Sequence, residues 1–216
     1  MNGPYSVNTT PILYSFRRCP FAIRARMALI YSGIQVELRE VKLSDMPDSM
    51  LRLSPKATVP VLVLGNDQVI DESLDVMLWS LSQSDPQHWL DIDEASKHLI
   101  WRNDEEFKPL LDCYKYADRH TQRSQLEHRT RAETFLSELN QLLNRRPYLS
   151  DGLCRLADVA IFPFIRQFAG VDPAWFERCE YSAVRNWLNT MLANIYFQRA
   201  MQKNRFWQPG APIVYL

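Results

Sequence analysis

One stretch carries the side chains best suited to chemistry: Ser15-Phe16-Arg17-Arg18-Cys19-Pro20-Phe21-Ala22-Ile23-Arg24-Ala25-Arg26. A cysteine lies between two arginines and a proline, at the point where a short apolar run, "PILYS", gives way to a helical pattern. Proline suits the first helical position because the N–H it lacks would be unpaired there. Cys19 is therefore expected at a helix N-terminus, where unpaired amides and the helix dipole favour an anion. With Arg17, Arg18, Arg24 and Arg26 nearby, such surroundings lower a cysteine pKa and populate the nucleophilic thiolate. The alternatives are a buried thiol that only fills space and a redox switch without a substrate.

Two further stretches carry polar or backbone groups of interest. In "ATVPVLV", Val59 precedes Pro60 at the entry to a buried strand. A trans strand start is the ordinary reading. A cis bond would turn the Val59 backbone outward, free to pair with an extended peptide. In "IDESLDVM", Ser73 reads as a helix N-cap and Glu72 as a turn carboxylate. The functional reading is that both hold the charged end of a ligand, the helix N-terminus taking a carboxylate and Glu72 an ammonium.

The elements that must position these residues divide the chain into two parts. Up to about residue 82, short strands alternate with helices: "PILYS", a helix stopped near Gly33, "IQVELREV", a short irregular or helical piece, "VPVLVL" and "QVI" around Gly65-Asn66-Asp67, then the helix "SLDVMLWSLSQ". The order β-α-β-α-β-β-α predicts a small mixed sheet covered by helices. Beyond Asp85-Pro86 the spacing is helical until the last few residues, with a break predicted at Pro109 and a fully buried helix over "LADVAIFPFIRQF". The expected domains are residues 1–83 and 91–216, α/β then all-helical, with a linker over 84–90.

Composition excludes several classes. Among 216 residues, 25 Lys and Arg balance 25 Asp and Glu, so no global field favours nucleic acid or an acidic membrane surface. No apolar run reaches membrane-spanning length, and "MNGPYSVNTT" does not read as a secretory signal, so a cytoplasmic protein is expected. The cysteines at 19, 113, 154 and 179 form no CxxC pair, and the four histidines never fall at i, i+3 or i, i+4, so no metal site is expected. No GxGxxG, Walker loop or GxSxG occurs.

Taken together, "RRCPFAIRARMAL", "TVP" and "ES" resemble the cytosolic glutathione transferase superfamily over nearly the whole chain. The "CPF" piece is similar to its cysteine-type members, close to the omega class and two-domain glutaredoxins. The resemblance implies a thioredoxin-like first domain, an all-helical second domain, and glutathione as cosubstrate. It implies that Cys19 meets glutathione, that Pro60 is cis, and that Val59 pairs by its backbone with the cysteinyl part. It further implies that Glu72 and Ser73 hold the γ-glutamyl end and that Phe21 and Thr58 flank the site. The implied function is an enzymatic thiol transfer or reduction through a Cys19–glutathione mixed disulfide, acting on a small-molecule or protein disulfide. The alternatives are conjugation to an electrophile, with Tyr14 or Ser15 as activator, and a non-catalytic regulator of the same fold. A homodimer is implied, in which Asp104 could reach the neighbouring subunit's glutathione.

The departures from the family pattern are specific. Ala22 replaces the second cysteine of dithiol glutaredoxins, which leaves a monothiol cycle. Met46 stands where omega proteins carry a lysine for the glycyl carboxylate, with Lys42 and Lys56 as substitutes. Arg155 stands where a Ser or Thr usually opens the buried helix, and Asp158 reads as a folding residue. An acceptor pocket between the two halves is expected, with walls from the helix containing Trp101, Phe107 and Tyr114, although aromatics at helical spacing are more often core than ligand contacts.

Overall fold

The computed structural model describes residues 10–65 and 68–216. Asn66 and Asp67 of the expected hairpin turn, and most of "MNGPYSVNTT", lie outside the described residues. The chain forms two compact units, one running up to Pro86 together with Ile195–Leu216, the other Gln87–Asn194.

In the first unit, β1 (Ile12–Ser15), α1 (Pro20–Tyr31), β2 (Glu37–Glu40), α2 (Asp48–Leu53), β3 (Val61–Val63), β4 (Val69–Ile70) and α3 (Ser73–Gln83) follow the expected β-α-β-α-β-β-α order. The sheet order is β2-β1-β3-β4. Strands β1 and β2 run parallel, Ile12 opposite Glu37, because a helix carries the chain back across the sheet. Strand β3 runs antiparallel to β1 and β4, Tyr14 opposite Val61 and Leu62 opposite Ile70. Alternation along β1 sends Leu13 to a cluster with Leu38, Leu62, Leu29 and Val76, and Tyr14 to one with Val41, Val59 and Met50.

Helix α1 is buried almost throughout, Arg24 and Arg26 included. It stops as its sequence predicts. Gly33 adopts φ +69, and the N–H groups of Gly33 and Ile34 close on the carbonyls of Ile30 and Leu29, the paired bonds of a Schellman end.

The C-terminal segment packs with this unit rather than with the helical one to which sequence periodicity assigned it. After α10 (Ile195–Ala200), the tail bonds along the outer edge of β2: Trp207 N–H to Glu40 O at 2.7 Å, Leu38 N–H to Val214 O at 2.7 Å, and a bridge between Glu37 and Tyr215. That satisfies an edge that would otherwise be open to pairing.

The second unit contains α4 (Glu94–Arg102), a π-helical turn (Asn103–Phe107), α5 (Lys108–Lys115), α6 (Gln125–Leu143), α7 (Leu156–Ala169), α8 (Pro173–Arg178) and α9 (Ser182–Leu192). The predicted break at Pro109 takes the form of the widened turn just before it. A regular helix would press the proline ring on the carbonyl four residues back, and here Lys108 N–H bonds back five residues, to Asn103. Helix α7 is buried nearly throughout, as its unbroken apolar sequence predicts. Short α8, opened by Asp172 and Pro173, is an addition to the elements read from periodicity.

Candidate active site

Cys19 occupies the N-cap of α1 with Pro20 at the first helical position. The half-buried thiol lies 3.7 Å from the Val59 carbonyl, which precedes a cis Val59–Pro60 bond. No side chain caps this helix. The Cys19 backbone is fixed on both sides, its N–H on Phe16 O at 3.0 Å and its carbonyl accepting from Ile23 N–H at 2.9 Å.

Beneath the loop runs a buried ion pair. Glu40, on the last residue of β2, accepts Arg17 N–H at 2.7 Å and pairs with Arg26. Arg26 also donates to Ser15 Oγ at 2.7 Å and to Ala200 O at 3.0 Å. One pair thus ties together the end of β1, the loop before Cys19 and the tail. Burial lowers the Arg26 pKa, against the pull of Glu40, and Cys19 lies within its electrostatic reach. The signal in the sequence was two arginines in an otherwise apolar helix: buried cations require partners, but sequence does not say where.

The other arginines separate by role. Arg24 is buried and donates to Ser73 Oγ at 3.0 Å, with its guanidinium 5.1 Å from the centre of the Phe21 ring. This bond joins the start of α1 to the start of α3, across 49 positions of sequence. Arg18 is exposed and lies over the Phe16 ring at 5.4 Å.

The expected cap role of Ser73 is corrected. Ser73 is the first residue of α3, Glu72 holds the cap position, and neither side chain caps the helix. The serine hydroxyl instead accepts from Arg24, which leaves its own proton to donate. Exposed Glu72 pairs with Lys56 Nζ at 2.7 Å, and the same ammonium reaches Asp71 at 3.0 Å. Ser54 donates to Asp71 at 2.8 Å, and that bond, with Lys56, holds the Asp71 carboxyl below its usual range. Lys56 therefore stands beside Glu72. Lys42 is exposed, and Met46 packs, half-buried, on the apolar cluster that also receives Cys19. Thr58 is exposed next to Val59.

Both hydroxyls considered as alternative activators are buried and occupied. Tyr14 Oη accepts from Arg39 at 2.6 Å and donates to Ser49 at 3.1 Å. Ser15 Oγ receives Arg26.

Of the aromatics on the helix expected to wall an acceptor pocket, two face the core. Phe107 and Tyr114 are core residues, buried against Phe135 and Phe168. Trp101 is exposed and stacks on His98. Aromatic residues at helical spacing have the same pattern whether they face a core or a ligand. Asp104 accepts from the Asn103 side chain at 2.8 Å.

In the second unit, Asp158 accepts three N–H donors: Leu149 N–H at 2.9 Å, Arg155 N–H at 3.0 Å and Trp187 Nε1–H at 2.8 Å. Burial nevertheless pushes its pKa up to about 6. Arg155, with no acceptor on its side chain, cannot cap α7; it holds the carbonyls of Gln87 and His88 instead. Cys113, Cys154 and Cys179 are half-buried free thiols, and burial with the nearby Asp158 charge pushes Cys154 up, away from the reactive form. Among the described residues, no group of three His, Cys, Asp or Glu side chains is placed to hold a metal, and no helix is long and apolar enough to cross a membrane.

Comparison with known proteins agrees with this fold. Residues 13–88 match the family model for the glutathione S-transferase N-terminal domain, and residues 87–190 that for its C-terminal domain. The chain is 26 % identical over 174 residues to glutathione S-transferase omega-1 of Sus scrofa, a match spanning 78 % of this chain and 66 % of the pig protein. The fold is shared with the crystal structure of glutathione transferase URE2P6 from Phanerochaete chrysosporium in complex with oxidised glutathione (TM-score 0.76, 16 % identity, 90 % of this chain and 96 % of that one). It is also shared with glutathione transferase Omega 3C from Trametes versicolor (TM-score 0.73, 18 % identity, 93 % of each chain). With both family models matched in sequence order across residues 13–190, and the mixed sheet and helical unit each in place, the chain belongs to the glutathione S-transferase family.

Proposed function

We propose that this protein is a glutathione-dependent thiol transferase that works through a Cys19–glutathione mixed disulfide. The observation that carries the reading is the placement of Cys19: an accessible thiol at an uncapped helix N-terminus, 3.7 Å from Val59 O, while the nearby hydroxyls of Tyr14 and Ser15 are buried and engaged. The positive end of a helix dipole favours an anion, and so the thiolate over the thiol.

The cycle needs two exchanges. The Cys19 thiolate attacks the glutathionyl sulfur of a mixed disulfide; the Cys19–glutathione S–S bond forms, the original S–S bond breaks, and the acceptor leaves as a thiolate that takes a proton from water. A second glutathione thiolate then attacks the glutathionyl sulfur on Cys19. Oxidised glutathione leaves and the Cys19 thiolate returns. Because Ala22 replaces a second cysteine, no disulfide within the motif competes with this cycle.

In this reading glutathione extends from Cys19 along the Val59 backbone to the start of α3. The Ser73 hydroxyl, held by Arg24, donates to the γ-glutamyl carboxylate, and Glu72 takes the ammonium, displacing Lys56. Phe21 and Thr58 flank the tripeptide. The protein is proposed to be a cytoplasmic homodimer, on the family resemblance.

Turnover of a glutathione mixed disulfide by wild type, Cys19→Ala and Tyr14→Phe tests the reading. The expected result is loss of all activity in Cys19→Ala and retention in Tyr14→Phe. Full activity in Cys19→Ala contradicts the covalent cycle, and absence of glutathione binding by wild type would favour a regulatory protein.

A further inference from the structure

We propose that the cavity beside the Cys19 loop receives the non-glutathione half of the mixed disulfide and selects an anionic one, carrying an apolar ring and a carboxylate or sulfonate. The proposal names a substrate class for the Cys19 site and rests on the exchange reading above.

Topology places this cavity. The Cys19 loop leaves the end of β1, and in the order β2-β1-β3-β4 the residues proposed to meet glutathione lie with the other two strands, Val59 just before β3 and Ser73 just after β4. On the opposite, β2 side, the loop residues Phe16 to Arg18, Glu40 and tail residues Lys203 to Phe206 line a cavity of about 770 Å³. That volume suits a small molecule rather than an ion alone. Its wall includes the residues immediately before the nucleophile, and the Phe16 carbonyl holds the Cys19 N–H.

Charge then decides what the cavity takes. Arg17, Arg18, Lys203 and Arg205 all border it. Among the described residues, Arg18, Lys203 and Arg205 form no ion pair. Glu40, the only carboxylate in the lining among the described residues, is already answered by Arg26 below it. The site is therefore cationic, with flexible long side chains able to converge on an anion. Phe16 and the exposed Phe206 supply the apolar surface for a ring. This is a different wall from the Trp101-Phe107-Tyr114 set that sequence spacing suggested.

The test measures affinities for two non-exchanging thioethers, S-(meta-carboxybenzyl)glutathione and its neutral isostere S-(meta-carbamoylbenzyl)glutathione, by calorimetry. Both carry the same glutathione, so their ratio isolates the added charge. Wild type should bind the carboxylate at least about ten-fold more tightly, the worth of one charged hydrogen bond. Lys203→Gln/Arg205→Gln, which alters only exposed side chains, should cut that ratio to about three-fold or less while affinity for glutathione itself stays unchanged. Equal affinities in wild type, no measurable binding of either, or a variant that weakens both ligands equally overturns the proposal. Since neither thioether exchanges, a preserved charge preference in a protein without turnover would sink the Cys19 cycle and leave the cavity assignment standing.

Discussion

Helices α1 and α7 begin with the same physical problem and solve it in opposite ways. Each starts with amides that lack partners within the helix. At α7 those needs are met from inside the chain: the Asp158 carboxylate accepts the Arg155 N–H, then spends its remaining capacity on Leu149 and Trp187. At α1 the cap residue is Cys19, with no side-chain cap bond and a half-buried thiol. The first start locks a core; the second sets a helix end beside a half-buried thiol, the nucleophile of the proposed cycle. Glu40 and Arg26 fix the backbone just before the α1 start, as the proposed use of Cys19 requires.

The contrast can be broken from either side, and the largest effects should be cleanly separated. Cys19→Ala should abolish thiol transfer while shifting stability by less than about 1 kcal/mol, since no cap bond is lost. Asp158→Ala should do the reverse, costing about 3–5 kcal/mol by orphaning three buried donors, with thiol transfer per folded molecule retained. Thermal melts and turnover on the same samples check both.

The next effect sharpens the α7 side. The Asp158 pKa lies above its ordinary value, so the folded state holds this proton to higher pH than the unfolded chain does. Its contribution to stability is full below the unfolded pKa and is lost as pH rises through about 6. Asp158→Asn does not titrate. The stability of wild type relative to this variant should therefore fall between about pH 4 and pH 7, by up to about 3 kcal/mol. A gap that widens over that interval would reverse the assigned sign.

The smallest effect lies at the start of α3. Ser73→Ala removes a proposed donor to glutathione and one partner of buried Arg24. KM for glutathione should rise about ten-fold with kcat nearly constant, the signature of lost uniform binding. A fall in kcat alone would place Ser73 elsewhere in the cycle.

What the sequence made legible was local. Cys19-Pro20 marked a helix start because cap chemistry depends on adjacent residues, and Gly33 marked its end because few residues take a positive φ. The bounds of α3 were legible from helical spacing, yet the use of Ser73 was not, because its partner Arg24 lies in another helix. The tail escaped periodicity altogether: its bonds run to the edge of β2, and no local pattern reports a strand edge distant in sequence. Phe107 and Tyr114 show the complementary limit, since spacing fixes the face of a helix but not what that face meets.

The most direct measurement is intact-protein mass spectrometry after brief exposure to a glutathione mixed disulfide, followed by peptide mapping and a chase with reduced glutathione. The expected result is one glutathionyl group on Cys19, released by the chase as oxidised glutathione. An unmodified Cys19, or an adduct confined to Cys113, Cys154 or Cys179, would contradict the assignment of Cys19 as the exchanging thiolate.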